Sequence, residues 1–450
     1  MSVGQSVLRI PVEPPEIQEI TIAPEVAVVG DHPVCVAMAD ALSTMGLAVT
    51  LIHPYESLEG LMDPLRVLVE VDESVAEKYA SLTKDLTRPS IKVVGRATVE
   101  GIEGQWGDFR LSVLKDASRM EVKASGIAMA FQGISKLPDA YDGMDVIGLS
   151  QFFSQLDIHK GCYGQKSESI RKIAFVLDVE QRDEKWASAT AFTLGRYLKE
   201  NFGTEVYILC QDVKVSLDGM EKGYRRAREA GILVFKYEDL PVVEGTAGSW
   251  TIRFRDSSAV SKESPWEIAL EGLDVVVVQE RLRPSENQRN LLTQLRISSE
   301  GGFVGPNNPQ FLGRTSKKGV VVGGDTWYPE YPTEGWMTAQ AAAEELYQWV
   351  GKGSYQIDVH RVAEVDPSKC ATCLTCYRIC PHDSIRIERY GMRNVYITTG
   401  AREGGTWEAA RVKVATCDGC GLCASECPAK AIQLIYYPDV EVLEFLEKNV

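Results

Sequence analysis

Residues 370–381 read CATCLTCYRICP, and residues 417–428 read CDGCGLCASECP. Each stretch is a C-x2-C-x2-C-x3-C-P run, and together they hold eight of the 11 cysteines of the 450-residue chain. This spacing is typical of 4Fe–4S proteins, because its short gaps wrap three thiolates around one cluster. Zinc sites use pairs of ligands and not two identical runs of four, and disulfides need an oxidising compartment. The two runs therefore predict two 4Fe–4S clusters.

The fourth cysteine of each run is expected to ligate the cluster of the other run, as in two-cluster ferredoxins. The first thiol set is then Cys370, Cys373, Cys376 and Cys427, and the second thiol set is Cys417, Cys420, Cys423 and Cys380. The sequence between the runs is long for a compact ferredoxin. Its alternating pattern predicts an inserted hairpin built from Ser384–Glu388, Val395–Thr399 and Arg411–Val414.

Composition and charge exclude several classes of protein. Lys and Arg number 48 against 63 Asp and Glu, and this net charge of −15 argues against a nucleic-acid-binding protein. The apolar runs are far shorter than the ~20 residues that span a bilayer, and residues 1–20 lack the pattern of a signal peptide. We therefore expect a cytoplasmic protein with no nucleic-acid partner and no membrane span.

The N-terminal part of the chain has the pattern of a βαβ unit. EVAVVG at Glu25–Gly30 predicts a buried strand, Pro33 fits the first turn of a helix that ends near Met45, and Gly46–Ile52 predicts the next strand. Residues 1–22 are expected to form an irregular arm. Ile91–Val99 and Phe109–Leu114 are expected to form antiparallel excursions, and Glu121–Phe131 is expected to return to the sheet.

A second unit of the same kind begins near residue 170. Its predicted strands are Lys172–Val179, Glu205–Cys210, Ile232–Tyr237 and Leu273–Gln279, and its predicted helices are Trp186–Asn201 and Gly219–Ala230. Trp250–Arg255 suggests a further hairpin, and Gly319–Gly323 and Thr338–Val350 predict a last strand and helix. Cys35 and Cys210, which share no ligand spacing, are expected to be packed small hydrophobes.

The predicted fold class is α/β, with two doubly wound dinucleotide-binding-like domains followed by an α+β ferredoxin domain. The expected domains are 1–165 with 300–352, then 166–299, then 353–450 with its hairpin and a C-terminal helix over Val440–Asn449.

Five segments of the chain resemble the A subunit of heterodisulfide reductase, an iron–sulfur flavoprotein of electron-bifurcating complexes. They are DVIGLSQF (145–152), IAFVLDVEQRDEK (173–185), EVYILCQDVKVSLDGMEKGYRRAREAGILV (205–234), DVVVVQERLRPSE (274–286) and GVVVGGD (319–325). The resemblance implies flavoprotein disulfide-reductase-like domains and an FAD beside Gly30, Gly323, Gly324 and Asp325.

The chain departs from this family where FAD would be held. His32 and Cys35 stand where the second and third glycines of G-x-G-x-x-G belong, and His53 stands where an acidic residue would bind ribose. Asp31 adds a negative charge near the expected pyrophosphate, and Pro33 removes an N–H group. Asp178 also stands where the family has a cysteine. We therefore expect weak FAD binding and no additional cluster near Asp178.

Three hypotheses follow from these patterns. The first is an electron-transfer subunit of a heterodisulfide-reductase-like complex, whose partners are its other subunits and ferredoxin or another redox protein. The second is an FAD-containing subunit that bifurcates electrons, and the third is a structural adaptor whose clusters hold the fold. No catalytic nucleophile set is apparent, so the first hypothesis is an electron relay and not the substrate-converting subunit.

Overall fold

The computed structural model describes ten segments of the chain. They are residues 17–85, 88–164, 168–180, 185–216, 219–257, 267–297, 299–305, 311–358, 362–391 and 406–434. No helix within these segments is long and apolar enough to cross a membrane. The predicted helix Val440–Asn449 and the predicted strand Val395–Thr399 lie outside the described residues.

The first sheet is parallel and has five strands. Their spatial order is Val320–Val322, Gly126–Ala130, Glu25–Gly30, Ala48–Ile52 and Ile91–Val94. The central strands are rich in β-branched residues and buried on both faces, as parallel strands covered by helices require. The helix Val34–Thr44 follows the strand Glu25–Gly30, and it packs against the helix Pro332–Val350. The predicted βαβ opening is thus present.

Two expectations about the flanks of this sheet were wrong. Ile91–Val94 is a parallel edge strand of the first sheet and not part of an antiparallel excursion. The excursion is a separate three-stranded antiparallel sheet of Ala97–Gln105, Asp108–Lys115 and Ser118–Ala124. The expected irregular arm contains the strand Ile17–Thr21, which pairs with Ser354–Asp358. Along the chain, these segments come before and after the strands of the first sheet.

The second sheet is also parallel and five-stranded. Its spatial order is Ile147–Gly148, Val275–Val278, Lys172–Val176, Glu205–Cys210 and Leu233–Lys236. The helices Lys185–Phe202 and Met220–Glu229 connect its strands. A three-stranded antiparallel sheet of Val242–Thr246, Ser249–Arg255 and Glu267–Leu273 packs against it. The two doubly wound units of the α/β prediction are both present, while the domain boundaries remain a prediction.

The cysteine-rich part of the chain forms two small antiparallel sheets. Ala363–Val365 pairs with Ile432–Leu434, so the strands before and after the two runs lie side by side. Ile385–Gly391 pairs with Thr406–Val412 and forms the expected hairpin between the runs. Short helices, Thr375–Ile379 and Leu422–Ser425, carry the ends of the two runs.

The remaining elements connect these layers. The other helices are Leu58–Met62, Arg66–Val71, Glu73–Asp85, Leu149–Gln155 and Glu286–Gln294, with 3-10 turns at Asp63–Leu65, Asp139–Tyr141, Gly324–Thr326 and Val414–Thr416. The other strand pairs are Leu156–Asp157 with Cys162–Tyr163 and Ile134–Lys136 with Arg281–Arg283. The three helices between residues 58 and 85 were not predicted from the sequence.

Gly30 ends the strand Glu25–Gly30 with a φ of +149°, in the region that favours glycine. A Cβ atom at this position would lie 1.7 Å from the carbonyl oxygen of Ala130 on the neighbouring strand. We predict that Gly30→Ala lowers the free energy of unfolding by about 3 kcal/mol or more, since strand and turn must both shift. Anaerobic denaturant unfolding measures this change.

Gly223 is the matched control, because it lies inside the helix Met220–Glu229 with open space around its Cα. Gly223→Ala should leave stability unchanged or raise it by up to ~1 kcal/mol. Equal stabilities for the two variants would contradict the close approach at Gly30.

Candidate iron–sulfur centres and dinucleotide-like cleft

The first thiol set surrounds one small cavity. All four of its cysteines line this cavity, although Cys427 comes from the second run. The rest of the wall is made of apolar side chains and two threonines, and includes Leu374, Ile387 and Ile432. The backbone N–H group of Ala410 donates to Cys370 Sγ at 3.4 Å, and that of Ala431 donates to Cys427 Sγ at 3.3 Å.

The second thiol set surrounds another cavity in the same manner. Cys380 from the first run lines it together with Cys417, Cys420 and Cys423. The N–H group of Ser384 donates to Cys380 Sγ at 3.3 Å. Burial, together with the neighbouring thiols, raises the pKa of the Cys423 thiol to about 12. Because iron binds the thiolate, cluster assembly here must release protons.

The two runs follow the same backbone path. Thr372 and Leu374 of the first run have φ values of +52° and +63°, and Gly419 and Gly421 at the matching positions of the second run have +65° and +78°. These left-handed residues turn the chain tightly between successive cysteines. The repeated conformation shows that the two runs are built as equivalent loops, each of which faces a cavity completed by the other.

The donor set of each cavity fits a 4Fe–4S cluster: four thiols, N–H groups aimed at sulfur, and a wall without carboxylates. Within the described segments, no three His, Cys, Asp or Glu side chains are arranged to hold a single metal ion. The expected grouping rested on the pattern of two-cluster ferredoxins, and the structure places the same four cysteines around each cavity.

The residues expected beside FAD gather at the carboxyl edge of the first sheet, where strands Glu25–Gly30 and Val320–Val322 end. The N–H group of Gly323 donates to the Met129 carbonyl at 2.9 Å. Asp325 Oδ2 accepts from the N–H group of Gly133 at 2.8 Å, and Asp325 Oδ1 lies 3.8 Å from His32 Nε2. A Cβ on Gly324 would lie 2.5 Å from His32 Nδ1, so the imidazole covers this glycine.

The N–H groups that would bind a pyrophosphate are used by the chain itself. At the start of the helix Val34–Thr44, the N–H of Val34 donates to His32 Nδ1 at 3.2 Å, and the N–H of Cys35 donates to the His32 carbonyl at 3.0 Å. Asp31 Oδ1 accepts from the N–H of Gln132 at 2.7 Å. The residues present therefore do not fit a dinucleotide pyrophosphate, which needs free N–H groups and no nearby carboxylate.

His53 also differs from a ribose-binding residue. Its side chain is fully buried, and neither ring nitrogen has a hydrogen-bond partner among the described residues. Burial lowers its pKa, so the ring is held neutral. The sequence pattern does not predict this depth, because an isolated polar residue after a strand is usually found in an exposed loop.

A cavity of about 380 Å³ opens between the two parallel sheets. His32, Gln132 and Asp325 line one side of it, and Trp186, Tyr331 and Trp336 contribute aromatic surface. The two tryptophans, which the sequence did not indicate, come from helices of different units, Lys185–Phe202 and Pro332–Val350. Gly30 and His53 do not line the cavity, whereas His32 and Pro33 of the turn after the strand Glu25–Gly30 do.

Glu330 lies in the wall of this cavity and is the most perturbed acid there. Its Oε1 accepts from Thr338 Oγ1 at 2.7 Å, and its Oε2 is buried without a partner among the described residues. Burial raises its pKa from 4.5 to about 8; Thr338 opposes the shift, and the nearby Glu334 and Asp325 add to it. The side chain is therefore a neutral acid at neutral pH.

Asp178 forms a satisfied buried ion pair at the carboxyl edge of the second sheet. It contacts Lys214 Nζ, and its Oδ2 accepts from the N–H groups of Gln211 and Asp212 at 3.0 and 3.3 Å. The residue thus closes a turn. Cys35 and Cys210, which belong to neither thiol set, are buried as expected. Burial raises the pKa of Cys210 to about 12.

Comparison with known proteins supports the assignment of the cysteine-rich part. Residues 411–433 match the 4Fe-4S binding domain family. The chain is 27% identical over 229 residues to a protein of Archaeoglobus profundus that is named as like the A subunit of heterodisulfide reductase, an alignment that covers 49% of this chain and 32% of that protein. It is also 27% identical over 248 residues to the iron-sulfur A subunit of the CoB--CoM heterodisulfide reductase of Methanocaldococcus jannaschii, with coverages of 54% and 35%.

Among solved structures, the thioredoxin reductase of T. acidophilum is similar, with a TM-score of 0.44, 16% identity, and coverage of 72% of this chain and 98% of that chain. The fold assignment here depends on strand order and not on that likeness.

The parallel sheets and the matched domain define the class of this chain: an iron–sulfur protein with two parallel-sheet α/β units. The resemblance to the A subunit of heterodisulfide reductases is confirmed by several relatives over about half of the chain. The aligned part spans only about a third of the length of these relatives.

Glu330 makes stability depend on pH. Because its pKa rises from 4.5 to about 8 on folding, its destabilising effect is absent below pH 4.5 and grows as pH rises to about 8. Between pH 5 and 9, ionisation of Glu330 should lower the free energy of unfolding by roughly 3 kcal/mol. We predict that Glu330→Gln removes this loss, since the amide is neutral throughout. Anaerobic melting curves across this range measure the difference.

Glu221→Gln is the control, because Glu221 is exposed on a helix and, within the described part of the chain, its ion pair is with Arg225 four residues along. Its melting temperatures should follow those of the unaltered protein at every pH. A Glu330→Gln profile that also follows them would show that Glu330 ionises normally.

Proposed function

We propose that this chain is an iron–sulfur electron-transfer subunit of a cytoplasmic, heterodisulfide-reductase-like multisubunit oxidoreductase. Single electrons pass through two 4Fe–4S clusters, one held by each thiol set. The observation that carries the proposal is the grouping of eight cysteines from two runs around two cavities, each completed by the fourth cysteine of the other run. When bound, the clusters supply reversible one-electron redox chemistry.

The protein's own groups suit this role. N–H groups that donate to Cys370, Cys380 and Cys427 stabilise negative charge on sulfur. The apolar walls keep water from most of each cavity. Cys373 and Cys420 are exposed, so each cluster has one edge at the surface where a redox partner can approach. Partners are proposed to be other subunits of the complex, and ferredoxin or another redox protein.

Several relatives support the same class of assembly. They include A subunits of heterodisulfide reductases, one of them dependent on ferredoxin or F(420)H(2). Since this chain aligns with about a third of their length, its donor, acceptor and substrate-converting partner are proposed only by class.

Metal analysis tests the two-cluster proposal. Anaerobically purified protein should contain about eight iron and eight sulfide per chain. Cys380→Ser should damage the cluster of Cys417, Cys420 and Cys423 and leave the EPR signal of the other cluster in place, because Cys380 lines the second cavity. Cys162→Ala, which alters a buried cysteine outside both sets, is the control and should keep about eight iron.

Two results would contradict this proposal. About four iron per chain, or zinc in place of iron, would eliminate the second cluster. Damage from Cys380→Ser confined to the cluster of Cys370, Cys373 and Cys376 would show that the fourth ligands are not crossed.

The flavin content of the purified protein distinguishes the electron-transfer subunit proposed here from the alternative, an FAD-containing subunit that bifurcates electrons. With Val34 and Cys35 N–H groups already bonded and Asp31 beside them, we predict well below one FAD per chain after acid extraction of cluster-replete protein. His32→Gly is the matched variant, because it clears the ring from Gly324 and frees the Val34 N–H group. Near-stoichiometric FAD in the unaltered protein would favour the bifurcating subunit instead.

A further inference from the structure

The ferredoxin-like part of the chain contacts the rest of the protein through buried charged side chains. This contact lies beside the cavity of the second thiol set. The segment Thr315–Lys318, which leads into the strand Val320–Val322, supplies much of this contact. His382 Nδ1 lies 3.2 Å from the Ser316 carbonyl, and Lys317 Nζ lies 3.3 Å from Asp383 Oδ2. His382 lines the second cavity, so this contact adjoins the second thiol set.

Lys317 is held within a compensated group of charges. Its side chain is 5% exposed, and Asp383 also binds Arg296 at 3.2 Å and Arg386 at 2.9 Å. Burial alone would raise the pKa of Asp383, but these three cations outweigh it and lower the pKa to about 2. The carboxylate is therefore always charged near neutral pH, and three cations surround one anion beside Cys380.

Lys318 is held differently, between two aromatic rings. Its Nζ atom lies 4.2 Å from the ring centroids of both Trp106 and Tyr355, and it makes no ion pair within 4 Å among the described residues. Rings in this position hold an ammonium group without neutralising it. Lys318 is two residues from Ser316, whose carbonyl meets His382 of the second cavity. Burial lowers the pKa of Lys318, and the negative groups Asp418 and Cys417, the latter in the second thiol set, oppose that shift.

The two cavities differ in the charges behind their walls and not in the walls themselves, since neither is lined by Asp, Glu, Lys or Arg. The exposed Arg378 acts on Cys373, but solvent and salt screen an exposed charge strongly. In contrast, Lys318 is partly buried, where a charge acts on its surroundings through a lower effective dielectric.

We propose that Lys318, supported by the charges around Asp383, gives the cluster of the second thiol set a higher reduction potential than the cluster of the first. This inference rests on the proposed function, since it needs both clusters. Reduction adds one electron and one negative charge to a cluster, and a fixed cation nearby favours that state. An electron on the first cluster therefore passes to the oxidised second cluster, and it leaves from there to a one-electron redox partner.

Lys318 is a positioning residue for charge and not a ligand, so the test is the potential of each cluster. The full chain with both clusters is titrated anaerobically with redox mediators and followed by EPR, and the signal lost in Cys380→Ser identifies the second cluster. At a fixed potential, Lys318→Gln should lower the reduced-to-oxidised ratio of that cluster on the order of tenfold, which is about 59 mV for one electron. The first cluster should move much less.

Three further variants make the result specific. Lys318→Arg keeps the charge and should restore the ratio, while Lys136→Gln, at an exposed lysine paired with Asp139, should change neither cluster. Asp418→Asn removes a negative charge near Lys318 and should shift the second cluster in the opposite direction, which keeps the test informative if Lys318→Gln loads iron poorly.

The outcomes distinguish this inference from the proposed function. Two loaded clusters with an unchanged second potential in Lys318→Gln, or an equal shift of both clusters, would overturn the inference while the relay stands. Absence of a second cluster in the unaltered protein would overturn the proposed function itself.

Discussion

The pairing of the short strand Val320–Val322 with Gly126–Ala130 places both candidate sites of this protein. The chain reaches this strand after passing through the whole second sheet, and the three residues that pair complete the edge of the first sheet. Lys317 and Lys318 precede the strand at the amino edge, and Gly323 and Asp325 follow it at the carboxyl edge. The pairing of this one strand therefore fixes two positions. It places the contact with the ferredoxin-like part at one end and the residues of the dinucleotide-like cleft at the other.

The consequence is a separation between the two sites. Parallel strands rise about 3.3 Å per residue, so the segment from Lys318 to Gly323 spans roughly 16 Å. The second thiol set lies beyond the amino edge, where His382 of its cavity meets the Ser316 carbonyl, and the cavity near Asp325 lies beyond the carboxyl edge. The sheet therefore lies between that cavity and the second thiol set, while Cys373 and Cys420 are exposed at the protein surface.

The sequence predicted the candidate site best where the chemistry of the ligands fixes the number of residues between them. The gaps between cysteines predicted which fours would meet, and the structure brings the same fours around two cavities. Continuous β-branched runs such as EVAVVG and VVVV predicted buried parallel strands because only covered strands can be apolar on both faces. Ile91–Val94 was mistaken for an antiparallel segment because it is an edge strand whose two central residues are exposed, so it lacks the continuous burial of the inner parallel strands.

Other features depend on residues distant in sequence and could not be predicted. Nothing near Lys318 indicates that Trp106 and Tyr355 would enclose it, since they come from a hairpin turn and from the last strand before the ferredoxin-like part. Glu330 has an ordinary local sequence, and its raised pKa comes from burial against a helix of its own unit. Sequence patterns report local geometry, whereas these effects come from the meeting of separate layers.

The altered dinucleotide loop shows how an anion site can be closed with few changes. The family's glycines leave N–H groups free for phosphate. Here the imidazole of His32 accepts from the Val34 N–H and covers Gly324, and the carboxylate of Asp31 accepts from the N–H of Gln132. These side chains supply hydrogen-bond acceptors where phosphate oxygens would otherwise be, so the loop keeps its conformation without a bound anion. Strand pairing and the packing of the helix Val34–Thr44 on the helix Pro332–Val350 hold the first sheet together, so its fold does not require free N–H groups in this loop.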